Sequence, residues 1–62
     1  MTQKELLYLE DAYMHEVSII NILKFSISKV TDHDLATFLS NELKKHQNMK
    51  KKIMTLLKGC SA

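Results

Sequence analysis

The chain contains two long stretches in which apolar residues recur at alternating steps of three and four. That spacing places them along one side of an α-helix, as is typical of helices that pack against each other. The first row is Leu6, Leu9, Tyr13, Glu16, Ile20, Leu23, Ile27 and Val30, and the second is Leu35, Leu39, Glu42, His46, Met49, Ile53 and Leu56. Glu16, Glu42 and His46 are the polar members of these rows. We therefore predict two helices with polar residues in the middle of their contact.

Capping signals predict where the helices begin and end. Thr2 followed by Glu5 has the form of a capping box, which predicts a first helix over about residues 3–29. Thr31 with Asp34, or Asp32 alone, can cap a second helix over about 33–58, with Gly59 as a left-handed residue after its end. A short connection between two long helices gives an antiparallel hairpin. We predict one helical-hairpin domain spanning residues 1–62.

The register of this hairpin follows from the two rows. When residues whose numbers sum to 62 lie level, apolar residues pair with apolar residues along most of the contact. The pairs are Leu6 with Leu56, Leu9 with Ile53, Tyr13 with Met49, Ile20 with Glu42, Leu23 with Leu39, and Ile27 with Leu35. The same register sets Glu16 opposite His46, with Glu42 one turn from His46 on the same helix.

Length and composition indicate an all-α protein that associates with itself. The 62 residues include no proline and one glycine, which favours helices. A domain this small buries only about 60% of its unfolded surface, and the single cysteine, Cys60, excludes an intramolecular disulfide. Apolar residues also flank both rows, so one hairpin leaves them uncovered. We predict a homodimer or higher homo-oligomer in which two hairpins form a four-helix bundle.

Two interpretations of Glu16, Glu42 and His46 remain open. A dimer would bring together four glutamates and two histidines, the ligand inventory of dinuclear carboxylate sites in helical bundles, which suits iron, manganese or zinc. His46 follows Glu42 by four residues, whereas that type of site has a spacing of three. In the alternative, Glu16 and His46 form a hydrogen-bonded pair that sets the register, and Glu42 reaches solvent or a lysine.

Other features narrow the function classes. No glycine-rich phosphate loop, CxxC pair or nucleophile elbow is present, so we predict no catalytic residues and a protein that is not an enzyme. The lysines of the second half have no aromatic residues interleaved with them, and the net charge is +2. We interpret them as a solvated face and expect no nucleic-acid partner. Without a secretory signal or a sufficiently long apolar span, we expect synthesis in the cytoplasm and no membrane partner.

Several segments resemble small spore coat proteins of the coat F type from endospore-forming bacteria. The strongest is Leu6-Leu-Tyr-Leu-Glu-Asp-Ala12 followed by His15-Glu16, and the second half adds Asp34-Leu35, Phe38-Leu39, Glu42-Leu43 and His46-Gln47. The resemblance covers nearly the whole chain. It implies a ferritin-like helical bundle, a structural role in the spore coat, and other coat proteins as partners. The alternative function rests on the ligand types of Glu16, Glu42 and His46 and is a small ferritin-like metal-binding bundle of the dinuclear carboxylate type with a redox or storage role.

A second sporulation family has a weaker resemblance to the chain. Short helical-hairpin phosphatases that act on aspartyl phosphates have the motif Ser-Gln-Glu-Leu-Asp in their second helix. Here the corresponding residues are Ser40-Asn-Glu-Leu-Lys44, so a lysine replaces the final acid. That departure argues against phosphatase activity.

Overall fold

The computed structural model describes residues 1–60, with side chains through Gly59. It contains two helices, α1 (Gln3–Lys29) and α2 (His33–Cys60), which pack against each other along their length as a hairpin. The molecule measures 45 × 14 × 12 Å. The predicted all-α hairpin is therefore confirmed.

The start of α1 is the predicted capping box. The Glu5 backbone N–H donates to the Thr2 hydroxyl oxygen at 3.1 Å, and the Thr2 N–H donates to the Glu5 carboxylate at 3.0 Å. Two of the backbone donors that a helix start leaves unpaired are satisfied in this way. At the other end, the Val30 N–H donates to the Ser26 carbonyl at 3.0 Å, after which the backbone becomes extended.

Asp32 caps the start of α2, which decides between the two predicted caps. Its carboxylate accepts from the Leu35 N–H at 2.8 Å, and its carbonyl accepts from the Ala36 N–H at 3.0 Å. The predicted end of α2 is wrong. The helix continues through Gly59 to Cys60, and no described glycine has a positive φ. Glycine tolerates ordinary helical dihedrals as well as left-handed ones, so its presence alone does not end a helix.

The contact side of α1 is the predicted row. All eight of its residues are buried or half-buried, and Ile20 is only 5% exposed. On the contact side of α2, Ile53 is 7% exposed. These two isoleucines are the buried hydrophobic residues of the described chain. The hairpin therefore has a very small core.

The contact side of α2 differs from the prediction. Leu39, His46 and Ile53 lie in the contact as expected, but Leu35, Met49 and Leu56 are 45%, 47% and 53% exposed. Half-buried residues on the opposite flank complete the contact instead: Ala36, Ser40, Leu43, Gln47, Lys50, Met54 and Leu57. The helix is thus rotated about its own axis relative to the prediction. Both flanks of α2 carry apolar residues, so periodicity alone does not choose between them.

The outer side of α2 is polar throughout. Every member of one stripe is exposed, as predicted: Thr37, Asn41, Lys44, Asn48, Lys51, Thr55 and Lys58. Within residues 1–60, neither helix combines the length and the apolar character that crossing a bilayer requires.

Candidate functional site

Glu16 and His46 meet at the middle of the hairpin. The distance between Glu16 Oε2 and His46 Nδ1 is 2.6 Å, although 30 residues separate them in the chain. An ionised carboxylate only accepts hydrogen bonds, so His46 Nδ1–H is the donor in this contact. The predicted register pair is confirmed.

The side chains of both residues are partly shielded from solvent. The Glu16 side chain is 13% exposed and the His46 side chain 30% exposed. Ile20 lies one turn after Glu16 on α1, and Ile53 lies two turns after His46 on α2. These isoleucines are the most buried hydrophobic residues of the described chain. A carboxylate in such a position is destabilising unless a partner compensates it, and the imidazole does so. The pair therefore ties the two helices together at one longitudinal position.

Glu42 does not join this pair. Its carboxylate accepts from the Lys45 ammonium at 3.3 Å, three residues further along the same helix. This is the contact with a lysine that the register interpretation predicts. Since Lys45 is largely exposed, the ion pair contributes little to stability.

The metal interpretation needs more than one chain. Among residues 1–60 of a single chain, no group of three His, Cys, Asp or Glu side chains is arranged to hold a metal ion. Glu16 and His46 supply two of the predicted ligand types at one point, whereas Glu42 contacts Lys45. A dinuclear site for iron, manganese or zinc made by two chains stays a prediction.

The other two histidines do not add to this site. His15 precedes Glu16 on α1 but is exposed, and His33 is exposed at the first turn of α2. Sequence reasoning left the role of Cys60 open, and its side chain lies outside the described residues.

A second feature is an exposed apolar surface along one side of the hairpin. A surface depression joins Tyr8, Leu9 and Ala12 of α1 to Leu56 of α2, which shows that these residues share a side. Helical periodicity adds further residues to the same side. We define the apolar face by its exposed members, Tyr8, Ile22, Leu35, Phe38, Met49 and Leu56. Leu35, Met49 and Leu56 were predicted to lie inside the hairpin contact, whereas in the structure they belong to this face.

Helix α1 has apolar residues on its remaining outer surface as well. Leu7, Met14 and Phe25 are all more than half exposed and lie on rows of α1 away from α2. Helices that are apolar on every side are normally buried. In a single hairpin, these apolar side chains of α1 therefore remain exposed to solvent.

Comparison with protein-family models, with curated proteins and with solved structures finds no match to this chain. Two features of the molecule bear on its function, the Glu16–His46 pair and the apolar face.

Proposed function

We propose that this protein is a structural assembly protein that works by pairing its apolar face with that of a second copy, which forms a four-helix bundle. The observation that carries the proposal is the apolar surface left uncovered by the hairpin. Only Ile20 and Ile53 are buried hydrophobics among the described residues, while ten large hydrophobic residues are exposed. Burial of apolar surface is the main favourable term in folding, so this hairpin needs a partner to be stable.

The dimensions of the chain support the same conclusion. A compact monomer of 7.2 kDa exposes about 4,100 Å², whereas this chain exposes 4904 Å². The surplus of about 800 Å² equals the area that each partner contributes to a standard protein interface. The radius of gyration is 14.3 Å, compared with about 11 Å for a compact chain of this length. A second hairpin laid along the first would fill the missing half of the bundle.

The chemistry of the apolar face suits a second copy of the same hairpin. The face contains aromatic, branched and thioether side chains from both helices, with Phe38 near the turn and Tyr8 near the opposite end. Glu42 lies in the same row of α2 as Leu35, Met49 and Leu56. Its ion pair with Lys45 provides a counter-charge for each of the two residues within this face. A twofold dimer uses one such surface twice, which makes it the simplest closed assembly.

The proposed place of this assembly is the spore coat, on the strength of the resemblance to coat F-type proteins. The Leu6–Ala12 segment and His15-Glu16 carry that resemblance, and Glu16 is also the residue that pairs with His46. A small, stable helical bundle without a catalytic site suits a building block of a protein layer. A fluorescent fusion expressed in a sporulating host should concentrate around the developing spore, and uniform fluorescence in the mother cell would contradict the coat assignment.

Self-association is tested by sedimentation equilibrium of the wild type and of Phe38→Glu. We expect a dimer or larger assembly for the wild type at micromolar concentration, and a shift to monomer for Phe38→Glu because it puts a charge in the interface. Asn41→Glu is the matched control, since it adds the same charge on the polar outer side of α2 and should associate like the wild type.

A second variant keeps the test valid if Phe38→Glu does not fold. Ile22→Lys alters the apolar face from α1, at a side chain that is exposed in the hairpin. Circular dichroism identifies which variants remain helical. A folded wild-type monomer, or helical Phe38→Glu and Ile22→Lys variants that both associate as strongly as the wild type, would overturn the proposal.

A further inference from the structure

The second half of α2 carries an unbalanced positive charge. Residues 43–60 include six lysines and no aspartate or glutamate. The two side-chain ion pairs found in the described chain join Lys45 to Glu42 and His46 to Glu16. They leave Lys44, Lys51 and Lys58 without a carboxylate neighbour among the described residues.

These three lysines form a straight row on the outer side of α2. They lie seven residues apart, so the row extends for about 21 Å along the helix at 1.5 Å per residue. A shallow depression beside the row is lined by Lys44, Gln47, Asn48, Lys50 and Lys51. The amide groups of Gln47 and Asn48 add uncharged hydrogen-bond donors next to the ammonium groups. We call this surface the lysine face.

We propose that the lysine face binds an acidic polypeptide segment, that is, a partner whose carboxylates lie along α2. The proposal is independent of the apolar face, because the row lies on the polar outer side of α2. Ammonium groups with neighbouring amide donors complement carboxylates that repeat along an extended or helical segment. In an assembly protein, such a surface would attach the bundle to a different, acidic component.

The composition of the face favours a polypeptide over a nucleic acid. No aromatic side chain lines this depression. Tyr13 lines the neighbouring depression with Lys51 and Lys58, but it is half-buried and the Lys50 ammonium lies 5.7 Å from its ring centroid, so its ring is not open for a base to stack on. Glu10 and Asp11 of α1 are exposed at the same end of the hairpin, where they would repel a polyanion as wide as duplex DNA. A single polypeptide segment is narrow enough to follow α2 alone.

The test measures fluorescence anisotropy of labelled poly-L-glutamate with the full chain, at low ionic strength and again at about 0.15 M salt. The lysine-face variant combines Lys44→Gln, Lys51→Gln and Lys58→Gln. The control combines Lys4→Gln, Lys24→Gln and Lys29→Gln, which removes the same charge from α1. We expect roughly tenfold weaker binding for the face variant and a much smaller change for the control, because exposed pairs each contribute modestly.

The outcomes are distinct. Wild-type binding that weakens with salt and is lost selectively in the lysine-face variant supports the proposal. It is overturned by an equal loss in both triple variants, or by a wild type that fails to bind poly-L-glutamate at low ionic strength. A DNA duplex of similar length that binds more tightly than the polypeptide would also overturn it, since the surface would then be a phosphate site.

Discussion

The Glu16 carboxylate lies 2.6 Å from His46 Nδ1 and joins the two helices at the middle of the hairpin. This contact is a side-chain hydrogen bond from one helix to the other, so it distinguishes one register from all others. Sliding one helix by a turn would leave the carboxylate half-buried without the imidazole, which is costly. The pair therefore provides specificity for the register as well as stability.

Removing one member of the pair should destabilise the hairpin. We expect Glu16→Gln to lower the free energy of unfolding by about 1–2 kcal/mol, because hydrogen bonds to charged groups contribute in that range. Urea denaturation at one protein concentration measures the change, since association contributes to apparent stability. Glu10→Gln, at an exposed carboxylate of the same helix, serves as the control and should remain within about 0.5 kcal/mol of the wild type.

A double-mutant cycle separates the pair from its surroundings. Glu16→Leu and His46→Leu each leave one polar partner behind, whereas the double variant replaces both with apolar side chains. We expect a coupling energy of about 1 kcal/mol or more, with the double variant near wild-type stability or above it. Additive single effects would show that the two side chains do not interact in solution.

Because the core is so small, truncating either of its two buried isoleucines should strongly destabilise the hairpin. Ile20→Ala removes most of a side chain that is 5% exposed and should lower the free energy of unfolding by about 2–4 kcal/mol. Met14→Ala is a comparable truncation at an exposed position of α1 outside the apolar face, and we expect a change within about 0.5 kcal/mol. Thermal denaturation monitored by circular dichroism provides both values, and equal effects would contradict the assigned core.

The cap of α2 should depend on Asp32 and not on Thr31. Asp32→Ala removes the acceptor of the Leu35 N–H and should cost about 1 kcal/mol of stability. Thr31→Ala should leave stability nearly unchanged, because the capping oxygen belongs to Asp32. Amide hydrogen exchange of Leu35 provides a local measurement, and faster exchange in the Thr31 variant than in the Asp32 variant would reverse the assignment.

The α1 cap should weaken in acid. The hydrogen bond from the Thr2 backbone N–H, followed by the Thr2 hydroxyl, lowers the pKa of Glu5 from its usual value. Because folding lowers this pKa, the cap is fully effective above the unfolded glutamate value of about 4.3 and is lost as pH falls through the lower folded value. Carbon-13 NMR titration of the Glu5 carboxylate should show a lowered midpoint. A midpoint in Thr2→Ala as low as in the wild type would contradict a contribution from the hydroxyl.

Much of the candidate site could be predicted from periodicity. The rule that level residues sum to 62 placed Glu16 opposite His46, and the contact is present. Capping chemistry is equally local, which is why Thr2 and Glu5 were correctly assigned from their spacing. The contact of Glu42 with Lys45 also follows from helical spacing, since residues three apart lie on one face. Convergence of three ligands in a dimer depends on a second chain, so it remains a prediction.

The heptad pattern by itself determined the two helices, the contact side of α1 and the pairing of Glu16 with His46, because these follow from spacings of three and four along a helix. Only the tertiary structure decided which flank of α2 meets α1. In the structure, Ala36 and Leu43 are half-buried in the contact with α1, whereas Leu35, Met49 and Leu56 lie on the apolar face. The physical reason is that rotation of α2 about its axis is set by the short connection and by packing across the seam, and an apolar pattern on both flanks does not specify that rotation.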